Sequence, residues 1–102
     1  MTFLAINSAI GAFGAANAAI GAAVTAAGSI DAAANTAALN PALGLIGQDF
    51  IAAFTGAQAS YLSSVAELGV LHGAMAASAA GTVVAYSASE SAGVAGLLSA
   101  AV

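Results

Sequence analysis

Large apolar residues return along the first third of the chain at alternating steps of four and three. Ile6, Ile10, Phe13, Asn17, Ile20, Val24, Ala27 and Asp31 form this row, with mostly Ala and Gly between them. The spacing keeps one helix face towards a neighbour with a heptad-like period. It predicts a helix over residues 7–34, about 40 Å long at 1.5 Å per residue, with Asn7 or Ser8 as its cap. Asn35-Thr36, Asn40-Pro41, Gly44 and Gly47 then gather the strong turn residues in mid-chain. Pro41 disfavours helix at Asn40. A second helix is predicted over 49–86, with Asp49 as N-cap or first-turn acid, favourable at the positive end of the helix dipole.

In that second helix Phe54, Tyr61, Leu68 and Met75 stand seven apart, while Val70, Leu71, Val83 and Val84 widen the apolar arc. Gly81 is a weak point, and from Ser87 the Ser/Ala/Gly-rich sequence is expected to fray. A short connection between two long helices folds them antiparallel. The expected fold is therefore an all-α antiparallel two-helix hairpin, with residues 1–90 as the hairpin domain and 91–102 as a tail.

A lone hairpin has one internal interface, and the apolar arcs exceed it. The remainder is an interaction surface. Ile6, Ile10, Phe13, Ile20, Val24, Phe50, Phe54, Tyr61, Val65, Leu68 and Met75 are the expected contacts, through which the hairpin completes a helical bundle with a partner. Three polar residues bear on this. Asn17 sits in the row itself, where a polar residue fixes alignment at some cost in stability. Glu67 either faces water or meets a polar group of the partner, and Asp31, at the end of the predicted first helix, opposes its dipole.

Composition narrows the function. The 102 residues are 62% hydrophobic, with no Lys or Arg, four acids and no Cys, for a net charge of −4. Without cations the chain cannot neutralise phosphates, which argues against nucleic acid. The start also lacks the positive n-region of a secretory signal peptide. One His and four scattered acids predict neither a metal site nor a cofactor. His72 has no G-x-S-x-G turn to serve, so a partly buried histidine bonded across the helix interface is expected, and no enzyme.

Lipid is the competing cover. Residues 1–30 are uncharged and several stretches match a membrane span in length. Gly69 and Gly73 follow the small-xxx-small spacing beside Glu67. Against a spanning hairpin stand the absence of Lys, Arg and aromatic belts, and amides such as Asn17, Gln48 and Gln58 that would need partners in hydrocarbon. A self-associating helical structural protein, as a homodimeric four-helix bundle, is a third reading.

The chain opens Met1-Thr2-Phe3. Phe54, Tyr61, His72 and Tyr86, with Leu71 before the histidine, occupy the second helix, and Tyr86-Ser87-Ala88-Ser89-Glu90 follows it. In these features, and in Pro41 between the helices, it resembles the PE family of mycobacterial proteins along nearly its whole length. Positions 8 and 9, where that family carries Pro-Glu, hold Ser8 and Ala9, so the chain is PE-like. The resemblance implies a hairpin that forms a heterodimer with a helical PPE-type protein. The pair would leave the cytoplasm by a type VII secretion system, with Tyr86 and Glu90 as the Tyr-x-x-x-Glu signal, to be secreted or held at the cell envelope. The broader group of small helical-hairpin substrates of the same system shares the signal without the pairing.

Overall fold

The computed structural model describes residues 4–101; the Met1-Thr2-Phe3 opening lies outside them. Helix α1 spans Asn7–Ala27, α2 spans Ala32–Leu43, a 3-10 turn spans Leu45–Gly47, and α3 spans Gln48–Ala100. The described residues hold no strand. They form a rod of 87 × 25 × 16 Å, with α1 and then α2 running antiparallel to the single long α3. The all-α hairpin is thus observed, with its first arm in two pieces.

The predicted helix over 7–34 is broken at Gly28-Ser29-Ile30-Asp31. The Gly28 N–H closes α1 on the Val24 carbonyl at 2.8 Å. The Asp31 carboxylate then accepts the Ala34 N–H at 2.9 Å and starts α2. A side chain that satisfies an orphan N–H nucleates a new helix better than it extends an old one. Asp31 therefore sits at the favourable positive end of α2's dipole, correcting the expectation that it opposes α1's.

The mid-chain turn is likewise shorter than expected. Asn35, Thr36 and Asn40 lie in α2, and Pro41 is carried within its last turn. The reversal is made at Gly44, whose φ of 63° and ψ of −158° belong to a region essentially reserved for glycine. Asn7 and Ser8 do not cap α1, since the N-cap is Ile6 and no side chain bonds there. Asp49 lies in the first turn of α3. Residues 87–100 are helical rather than frayed, because Ala and Leu carry the helix through Ser and Gly.

The core is slight. Ile51 and Ala79 are its buried apolar residues, each 6% exposed, and among the described residues no side chain is wholly buried. What holds α1 to α3 is backbone proximity. A Cβ added to Gly14 would lie 3.0 Å from Ala79 Cβ, one added to Gly21 would lie 3.1 Å from His72 Cβ, and one added to Gly28 would lie 2.7 Å from Val65. Seven residues forward on α1 match seven back on α3, which is the register of an antiparallel heptad seam. Glycine at every seventh place lets the two backbones approach where larger side chains would hold them apart.

Candidate partner-docking face

The seam sorts every apolar residue into inside or outside. On α1 it passes through Asn7, Ile10, Gly14, Asn17, Gly21, Val24 and Gly28, all buried or half-buried. The row of large residues read from the sequence coincides with it only at Ile10, Asn17 and Val24. Ile6, Phe13, Ile20 and Ala27 each stand one position before a seam residue and remain exposed. On α3 the seam runs through Leu62, Val65, Gly69, His72, Ala76 and Ala79, and Tyr61, Leu68 and Met75 again stand one position before it, exposed. Near the break between α1 and α2, α3 takes two successive steps of four, from Phe54 to Gln58 to Leu62. The stripe shifts where the partner helix changes.

These flanking residues share one side of the hairpin. Phe13 and Met75 line a single open groove with Ile10 and Leu71. The same seven-residue register sets Ile20 opposite Leu68 and Ala27 opposite Tyr61. Ile6 continues the face towards Tyr86 through a second groove with Phe13, and Ile30, Phe54 and Tyr61 line a third beyond it. Phe13 is 53% exposed and Leu68 47%. The result is a row of large apolar side chains along one side of the rod.

Of the expected partner contacts, Ile6, Phe13, Ile20, Phe50, Tyr61, Leu68 and Met75 are exposed, whereas Ile10, Val24, Phe54 and Val65 are half-buried in the hairpin itself. Phe50 and Phe54 stack at 6.1 Å between ring centroids.

Polar residues cross-link the seam. His72 Nδ1 lies 3.1 Å from Asn17 Oδ1, and Asn17 Nδ2 donates to the Phe13 carbonyl at 2.9 Å. The atom facing His72 is the Asn17 amide oxygen, which only accepts, so Nδ1 of His72 is the donor in this contact. The expected cross-interface histidine is therefore present, and Asn17, 5% exposed, is the seam's polar residue. Sequence reading missed a second cluster. Asn35 Nδ2 donates to Gln58 Oε1 at 2.9 Å, and Gln58 Nε2 donates to Thr36 Oγ1 at 3.4 Å. Gln58 is also 5% exposed. The available signal was its place one heptad step beyond Phe54, obscured because Asn35 and Thr36 read as turn residues. At the open end Asn7 Nδ2 donates to Ser87 Oγ at 3.1 Å.

No carboxylate enters the apolar row. Asp31 caps α2, Asp49 lies in the first turn of α3, and Glu67 and Glu90 are exposed. Glu67 sits two positions before seam residue Gly69, on the outer surface of α3. Tyr86 is half-buried at the seam's end, with Glu90 one turn further on. Both helical stretches, Asn7–Leu43 and Leu45–Ala100, are long and apolar enough to cross a membrane by length and composition alone. Among the described residues no three His, Asp or Glu side chains gather as a metal site. Comparison with protein-family models, curated proteins and solved structures returns no match.

Proposed function

We propose that this chain is a non-enzymatic, PE-like pairing protein. Its hairpin completes a helical bundle with a longer PPE-type helical partner, and the heterodimer is exported through a type VII secretion system. The observation that supports the reading most is the uncharged apolar row of Ile6, Phe13, Ile20, Tyr61, Leu68 and Met75, left uncovered by a hairpin with almost no core. Exposed apolar rows of this kind mark protein or membrane contacts. A helical cover continues the heptad spacing that α1 and α3 already use. The pair travels folded, with Tyr86 and Glu90 as its address, to the cell envelope or the medium.

Expression tests this directly. The chain produced alone is expected to aggregate, and produced with the helical protein encoded beside it to yield a soluble 1:1 complex. Cooperative melting of a soluble, solitary monomer would overturn the proposal. The second reading, a membrane hairpin, has the length and apolarity of both helical stretches in its favour. It requires detergent whether or not the partner is present. A soluble homo-oligomer formed unaided would favour the self-associating structural protein.

A further inference from the structure

α3 outlasts its partner. Asn7, the first residue of α1, reaches Ser87, yet α3 continues to Ala100. A stretch of about 20 Å at 1.5 Å per residue thus stands beyond α1. Every residue from Ser87 to Ala101 is exposed. At about 100° per residue, Glu90 falls in line with Ala79, Val83 and Tyr86, the positions that α1 covers. Val94 and Leu97 lie within about 40° of that line, and they are 57% and 75% exposed. The seam therefore runs on past the end of α1 with a carboxylate on its centre line.

We propose that residues 87–98 of α3 dock a helix of another protein. That helix takes α1's place in the continuing seam and sets a Lys or Arg against Glu90. Two observations select this occupant. The stripe is continuous with the α1–α3 interface, so it presents the spacing that a helix packs against. A carboxylate covered without a counter-charge is costly, and this chain contains no Lys or Arg. A second copy would therefore add another carboxylate and no cation. The proposal rests on the previous section's reading of Glu90 as part of the address, and its partner is a protein other than the one on the docking face.

The test places a photo-cross-linking amino acid at Leu97 of the full chain, in the organism that encodes it, and in a parallel strain at Phe13. The Leu97 probe is expected to link to a partner helix with a Lys or Arg within one turn of the linked residue. Glu90→Lys should lower the yield about tenfold, as for a covered charge pair across an interface. Glu67→Lys, on the outer surface, should leave it unchanged, and reversing the partner's cation to Glu should restore pairing with Glu90→Lys. Links only to a second copy or to lipid, no adduct, indifference to Glu90→Lys, or failure of the reversal would each overturn the proposal. The Phe13 probe keeps the two readings separate. A link at Phe13 without one at Leu97 removes this proposal alone, and the converse removes the docking-face reading.

Discussion

His72 on α3 and Asn17 on α1, 55 residues apart in sequence, meet through a hydrogen bond of 3.1 Å in the middle of the hairpin. With so little apolar core, this pair and the glycine ladder around it fix how far α1 is slid along α3. A slip of one heptad would set Asn17 against Val65 or Ala79 and His72 against Ile10 or Val24, and an unpaired buried polar group costs about 1–3 kcal/mol.

Asn17→Ala and His72→Ala are each expected to destabilise the hairpin by about 1–3 kcal/mol. The double variant should cost less than the two added together, because the second removal orphans nothing new. Chemical denaturation of the complex with the helical partner, followed by circular dichroism, supplies the cycle. Strict additivity would show that the two side chains do not act as a pair.

Glycines along one chain should respond in opposite directions. Gly28→Ala brings a methyl within 2.7 Å of Val65, and Gly21→Ala within 3.1 Å of His72 Cβ, so both should lower the melting temperature of the complex with the helical partner. Gly73 faces open space, and Gly73→Ala should raise stability by up to about 1 kcal/mol through helix propensity. Equal effects at Gly28 and Gly73 would mean that the close approach of α1 and α3 is absent in solution.

Phe13→Ser and Leu68→Ser remove exposed apolar side chains from the row. Each should abolish co-purification with the helical partner, although neither side chain enters the α1–α3 seam and the change to the hairpin's own stability is about 0.5 kcal/mol or less. Val84→Ser is the control, since Val84 is exposed but follows seam residue Val83 and so lies away from that row. Undiminished complex formation by both Phe13→Ser and Leu68→Ser would place the partner elsewhere.

Tyr86→Ala and Glu90→Ala should block export while leaving intracellular pairing intact. Quantitative immunoblots of culture filtrate and cell lysate read both at once. Normal amounts of both variants in the filtrate would remove the address from these residues.

Much of the architecture was legible from spacing. The heptad period, two helical arms and an apolar excess follow from where large side chains recur, and a reversal between residues 35 and 48 from the turn residues gathered there. The rotation of the arms was not legible. Periodicity puts Ile6, Ile10, Phe13 and Ile20 in one row without dividing them between the hairpin's own seam and an outer face, and the seam belongs to Gly14, Gly21 and Gly28, which carry no hydrophobic signal. The break at residues 28–31 was hidden for a related reason, since Asp31 continues the four-and-three row and reads as helix although its carboxylate starts a new one.

Sequence by itself determined that this chain is helical, folded back on itself, free of cations and largely apolar. Those properties are set by local propensity, period and composition, each written residue by residue. Tertiary structure decided which face is spent inside and which is offered outward. The separation of two helices depends on the smallest residue at each crossing, and only the packed pair shows that glycine is there.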